Sequence, residues 1–444
     1  MAADPAHTRT GFYAWLYRAF PLEQEGTTIR REVLGGLTTF MTMAYIIVVN
    51  PTILGATGMD FKAVVVATCL ASAFATLMMG LFARYPIALA PGMGLNAFFA
   101  YEVCGPEGIP WQAGLGLVFL AGVLFLVLAL FRVREMIVDA IPGSIKIGAA
   151  VGIGLFITFI GMKNAGLVIP HEKTLVQLGN LGDAGTGAAL IGLVVTAALI
   201  ARGFGGAVLI GIVVTAAATV LFGKADLAGD WIEAPAVGKV AFRLDIVGAL
   251  RWEYLDLILI FLFFDLFDTI GTLIGVGEQA GLVKDGKLPR MNRALLSDAA
   301  GSIVAGTLGT STVTSYIESA SGVAAGARTG LANVITALCF ASAIFFAPLA
   351  QKLGDTSAIT APALIIVGCL MTGAVRKISW DDFTEAFPAF VTMVVMPLTY
   401  SIAHGLSLGF ISYPLIKLLA GRGREVHAIV YVLAAILTLR YVFL

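Results

Sequence analysis

The chain holds 444 residues, 59% of them hydrophobic and 13% charged, with 28 basic and 28 acidic side chains and a mean hydropathy of +0.93. A soluble domain carries about 25% charged residues, so half that figure excludes a water-soluble globule and points to a single integrated membrane domain over 1–444. The balanced charge gives no footprint for a nucleic-acid partner, and Cys69, Cys104, Cys339 and Cys369 show neither metal-ligand spacing nor a disulfide framework.

Residues 1–32 are polar and mixed, without a cleavable signal pattern. Apolar runs follow at 33–50, 61–83, 91–103, 112–131, 143–162, 185–202 and 205–222, each read as a membrane span. A polar stretch, 223–254, separates them from 255–277, 294–309, 317–327, 329–350, 357–375, 384–402 and 404–421. A last apolar run, 426–444, is either an extra span or an interfacial helix. The reading is thus an all-α polytopic protein of about fourteen segments in two blocks of seven.

Basic residues orient these segments. The N-terminus and the loops after even-numbered spans hold 19 of them, including Arg9, Arg18, Arg132, Arg134, Lys284 and Lys287, against 8 on the other side, with Arg440 assigned to neither. The N-terminus is therefore expected in the cytoplasm. An odd number of spans per block turns the second block over relative to the first, the arithmetic of an inverted repeat. Trp15, Trp111, Trp231, Trp252 and Trp380 fall near span ends, as interfacial anchors do.

The third run of each block breaks the pattern. Tyr85–Phe99 and Gly309–Gly322 each open on an extended stretch and continue as a helix too short to cross alone. Pro91 suits the first turn of the first short helix. Paired interrupted spans point to a midplane binding site, where helix N-termini present free N–H groups.

Span eight carries the strongest signal. Asp265 and Asp268 lie three apart, on one helix face, in the middle of a run long enough to cross a bilayer. An Asp there costs roughly 2.5–3.5 kcal/mol even on insertion scales, so such residues usually mark a pathway; a structural pair held by backbone donors is the alternative. Glu318, opening the second short helix, and Asn96, in the first, join them as candidate ligand groups. Carboxylates accept hydrogen bonds and suit a planar ligand rich in N–H groups. Phe98, Phe99, Phe264, Phe267 and Tyr316 are available to stack on it, although core packing is the plainer reading for any one of them. Asp298 is read as a structural partner of the short helices, and His404 as a helix-junction cap rather than a proton relay. A carboxylate balanced between desolvation and a helix N-terminus can exchange a proton, which makes proton symport physically reasonable beside sodium coupling.

Four stretches, Gly35–Tyr45, Ala90–Ala97, Phe264–Thr269 and Ser315–Ser319, closely resemble the nucleobase–ascorbate transporter (xanthine/uracil permease) superfamily, in particular its azaguanine-like purine permease branch. The resemblance implies a seven-plus-seven inverted repeat with an elevator-like mechanism. It implies a core from spans one to four and eight to eleven (about 33–131 and 255–350) and a gate from five to seven and twelve to fourteen (about 141–222 and 357–421). It further implies proton-driven import of adenine, guanine or hypoxanthine through the inner membrane, a homodimer, and no cofactor. Carried over by position, substrate contacts fall on Gly94, Asn96, Asp265 and Glu318, with Asp268 in support and Phe264 and Ile317 beside them; proton coupling falls on Asp268, Glu318 and Asp265. A uracil, xanthine or sulfate-type anion carrier is the alternative within transport. An intramembrane aspartyl protease is the alternative outside it, and would need a facing dyad that includes Asp298 or another distant acid.

Overall fold

An apolar run out of reach of water has one local way to satisfy its N–H and C=O groups, the α-helix. The computed structural model describes residues 20–105, 108–131, 141–283 and 288–443. Of the residues used above for orientation and anchoring, Arg9, Trp15, Arg18, Arg132, Arg134, Lys284 and Lys287 lie outside the described residues.

The helices of the first block are α1 (Ile29–Met43), α2 (Ile46–Gly55), α3 (Phe61–Met78), α4 (Met93–Phe98), α5 (Trp111–Leu130), α6 (Gly143–Asn164), α7 (Ala184–Ala201) and α8 (Ala207–Leu221). A short α9 (Ile246–Ala249) leads to α10 (Leu255–Gln279), α11 (Met291–Leu308), α12 (Ser319–Ala324), α13 (Gly330–Ala343) and α14 (Ala347–Gly354). The chain ends with α15 (Ser357–Thr372), α16 (Phe383–Thr399), α17 (Ile402–Leu419) and α18 (Ala428–Phe443). Among the described residues nine helical segments are long and apolar enough to cross a membrane. Polar caps start many of them: Thr28, Asp60, Asp183, Thr329, Asp382 and Ser401 each accept an N–H of the first turn.

The helices sort into two packing groups. In one, α5 lies on α11, and α13 on α1 and α3; in the other, α6 lies on α15 and α16, with α7, α8 and α17 around them. Close approach needs glycine at the crossings. A Cβ on Gly80 would stand 2.7 Å from the Gly330 carbonyl in the first group, and one on Gly154 would stand 2.8 Å from the Gly368 carbonyl in the second.

Between α3 and α4 the chain is a strand, β1 (Leu89–Pro91), paired antiparallel with β4 (Val313–Ser315) between α11 and α12. The register sets Leu89 opposite Ser315, Ala90 opposite Thr314 and Pro91 opposite Val313. Non-helical backbone at membrane depth must be satisfied by protein, and surrounding side chains do this. Thr76 both donates to the Leu89 carbonyl and accepts from its N–H, at 2.9 Å each. Ser319 accepts from Ala88 N–H at 3.0 Å, Asn333 donates to the Ile87 carbonyl at 2.6 Å, and Ser302 donates to the Val313 carbonyl at 3.0 Å.

Three local expectations change. Pro91 ends β1 instead of starting α4, because Gly92 takes the cap position and donates its N–H to Thr312 at 2.9 Å. The segment between α6 and α7 forms an exposed hairpin, β2 (Val168–His171) with β3 (Leu175–Leu178), which the apolar pattern did not reveal. The polar stretch after α8 is not only a connector: α9 packs on α5, and Asp245 N–H bonds the Gln112 carbonyl at 2.8 Å.

Candidate functional site

The β1–β4 pair sets the N-termini of α4 and α12 beside one another, and the middle of α10 packs against β4, α12 and α4. Tyr316, just after β4, fixes the start of α4 by donating its hydroxyl to the Pro91 carbonyl at 2.6 Å. Two helix starts and one acidic helix therefore meet at the level where the chain is extended.

The three acids of the sequence reading take different places. Asp268, halfway along α10, is not covered by the neighbouring helices, and its Oδ2 accepts from Thr314 at 3.1 Å. Glu318 is half-buried at the cap position of α12, and its Oε1 accepts from the Tyr45 hydroxyl at 2.6 Å. Asp268 and Glu318 act on each other electrostatically. Asp265, 2% exposed, turns instead toward α11, where its Oδ2 lies 3.1 Å from the Ser302 hydroxyl and its carboxyl faces that of Asp298. Asp298 accepts from Thr269 at 3.0 Å, and Thr269 in turn touches Thr314 at 2.9 Å. Oxygen contacts thus run unbroken from open Asp268 through Thr314 and Thr269 to sealed Asp298.

Asn96 is wholly buried on α4, and among the described residues neither atom of its amide has a hydrogen-bond partner. A buried unpaired amide is rare and costly, and such a group calls for a ligand with both a donor and an acceptor. Gly94 is half-buried beside it, where a Cβ would stand 2.6 Å from Ile153 of α6. Ile317, next to Glu318, is 59% exposed.

The aromatic candidates divide. Phe98 and Phe99 are fully buried; Phe98 meets Phe261 edge-on at 4.8 Å and Phe264 at 6.2 Å, and Phe99 fills the space beside Gly114. These are packing contacts. Phe267 is half-buried, lies parallel to Phe263 at 6.1 Å, and carries the Lys146 ammonium 5.7 Å from its ring centre.

Several residues escaped the sequence reading. Tyr45 sits at the break between α1 and α2, where no acid drew attention. Glu102 lies inside the 91–103 run, and an acid in an apolar run was the signal available. It accepts N–H groups of Ile402 at 2.9 Å and Ala403 at 3.2 Å, and the Ser401 hydroxyl at 2.5 Å. Ser401 and Glu102 therefore cap α17.

A family model described as a permease family, Xan_ur_permease, matches residues 30–408. A putative permease of Methanocaldococcus jannaschii is 53% identical over 96% of this chain and 98% of its own length. The adenine permease AdeQ of Escherichia coli is 45% identical, covering 96% of each chain. The guanine/hypoxanthine permease PbuG of Bacillus subtilis is 46% identical, over 96% of this chain and 99% of its own. Among solved structures, the transmembrane domain of the cyanobacterial bicarbonate transporter BicA aligns with a TM-score of 0.65 at 15% identity, covering 86% of this chain and 97% of that one. The helical transporter fold is therefore shared well beyond recognisable sequence.

Proposed function

The chain belongs to the xanthine/uracil permease family, membrane transporters and not enzymes, and we propose that it imports the purine nucleobases adenine, guanine and hypoxanthine together with protons. Relatives at 45–46% identity over nearly their whole length carry names of purine permeases, which supports a nucleobase as cargo. The observation that carries the reading at the site is Asn96, a buried amide with a free donor and a free acceptor on a short helix that packs against α10. A purine edge offers the complementary pair, while Glu318 and Asp268 accept its N–H groups. The same two carboxylates disfavour an anion as cargo, since like charges repel strongly where water is scarce. Asp265 and Asp298 do face each other from two helices, but the family and its named relatives are permeases and not proteases.

Proton counting supports symport. The row Asp268–Thr314–Thr269–Asp298 contains three oxygen–oxygen contacts and two hydroxyl protons. With both hydroxyls donating outward to the carboxylates, the central contact lacks a proton. One proton added to either acid lets all three contacts be hydrogen bonds, so the row takes up one proton as a unit.

In this reading the group of α1–α5 and α10–α14 is the moving core and the group of α6–α8 and α15–α17 the gate. The halves form a seven-plus-seven inverted repeat, the N-terminus is cytoplasmic, and two copies form a dimer. Uptake of labelled adenine, guanine and hypoxanthine into a permease-deficient strain tests it. Uptake should follow an imposed pH gradient and collapse with a protonophore; uptake that ignores both and follows sodium overturns the coupling, and no purine uptake overturns the cargo.

A further inference from the structure

Glycine weakens the interior of a helix relative to alanine, so a membrane helix keeps it where backbones must approach, as at Gly80 and Gly154. Gly271 and Gly275 of α10 have no such neighbour. Outside the helix's own backbone, no atom of the described residues lies within 4 Å of the place a Cβ would take on either one. Packing does not explain them.

The two glycines share a helix face with Asp268 before them and Glu278 after them, at successive spacings of three, four and three residues. Asp268, Gly271 and Glu278 are exposed along this face and Gly275 is half-buried, while Thr269, Leu273 and Val276 behind them are fully buried. The face looks toward the gate and not toward lipid. Phe267, next to Asp268, has the Lys146 ammonium of α6 5.7 Å from its ring centre. Yet α6 packs on α4 and, among the described residues, stands off from α10. Asp268 lies deep among protein atoms although its side chain stays uncovered, and a carboxylate turned to hydrocarbon would be costly. A cleft between α10 and α6 accounts for all of these observations.

The cleft is shut at its other end. Asp245, ahead of α10, donates its N–H to the Gln112 carbonyl in the first turn of α5, which puts the starts of α5 and α10 on one side. Glu102, a few residues before α5, holds the Ile402 N–H of α17 there at 2.9 Å.

We propose that the Asp268–Glu278 face of α10 is one wall of the route by which the cargo leaves the site for the cytoplasm, with Gly271 and Gly275 kept free of side chains so that a flat base passes between α10 and α6. This rests on the nucleobase reading and the orientation given above.

The test uses the full-length carrier without its four native cysteines, carrying Gly271→Cys or Gly275→Cys, in sealed membrane vesicles of either orientation. A trimethylammonium methanethiosulfonate, which does not cross a bilayer, should label both variants from the cytoplasmic side and neither from the outside. No labelling by this reagent, labelling from the outside alone, or labelling only by an uncharged thiol reagent overturns the inference. The ligand-free melting temperature of Gly275→Ala should hold or rise, because the added methyl meets open space and alanine strengthens the helix; a fall overturns the inference. Folded Gly275→Phe should bind purine and lose uptake of labelled adenine and guanine, and uptake equal to the parent's overturns the inference. A parent that takes up no purine removes the nucleobase reading, whereas a parent that transports while both cysteine variants stay unlabelled removes this inference alone.

Discussion

Asn96 and Glu318 make opposite demands on the folded chain. The Asn96 amide is buried without a partner, which costs the ligand-free protein about 1–3 kcal/mol. Asn96→Ala should therefore weaken purine binding by about 1–3 kcal/mol while leaving the ligand-free melting temperature unchanged or higher. Unchanged affinity in a folded variant would take Asn96 out of the site. Glu318 already has its partner, and that partner fixes the outcome of Glu318→Gln. Tyr45 keeps the amide oxygen, the amide nitrogen then faces the ligand, and N–H meets N–H. Binding and transport should vanish with folding intact, read as loss of purine-induced thermal stabilisation; a full ligand shift in the variant would mean that Glu318 does not read the base. Both residues stood out in the sequence, because an acid or amide in an apolar run is expensive wherever it points. Asp265 stood out for the same reason, yet it turns toward Ser302 and Asp298, since three positions along a helix fix a face only within a broad arc.

The elements that carry these residues depend on borrowed hydrogen bonds. Thr76 satisfies both backbone groups of Leu89, so Thr76→Val should leave two polar groups unpaired at about 1–3 kcal/mol each. A melting temperature unmoved by this isosteric change would show that the strand pair does not need it. Two acids do the same for helix starts. Glu32 of α1 accepts N–H groups of Arg328 at 2.8 Å and of Thr329 and Ala332 at 3.2 Å, capping α13. Glu102 caps α17 from 300 residues away. The interrupted spans themselves were legible in Pro91, Gly92 and the Gly309–Gly322 stretch, because backbone that cannot be helical declares itself locally. The identity of the capping acids was not, because an N–H acceptor gains nothing from being near in sequence.

At the scale of the whole molecule, Glu102 joins the two packing groups: it leaves the short span of one and ends on the first turn of α17 in the other. Tyr400, in the left-handed region at φ 56° just before this turn, packs among Tyr101, Phe156 and Phe159 at 5.2–6.2 Å and seals the same end. If the groups slide past each other to move the site across the membrane, these bonds must break in each cycle. A reversible cross-link between cysteines at 102 and 401, in a background lacking the four native cysteines, should abolish uptake, leave purine binding measurable, and release uptake on reduction. Continued uptake by the cross-linked carrier would show that the two groups move together.

Composition and apolar run length by themselves determined the membrane fold, the near-positions of the helices and the two interrupted spans, because in a medium without water these follow from local backbone chemistry. They also marked the residues in which a site is built, since polarity at membrane depth needs a reason. Only the tertiary structure decided which acid is covered by a neighbouring helix and which is not. Asp265 and Asp268 are alike in sequence; what separates them is that α11 covers the first with Ser302 and Asp298, while Asp268 stays uncovered beside Thr314. Likewise Tyr45 became a partner of Glu318 across 273 residues because the break in the first span turns it toward the start of α12.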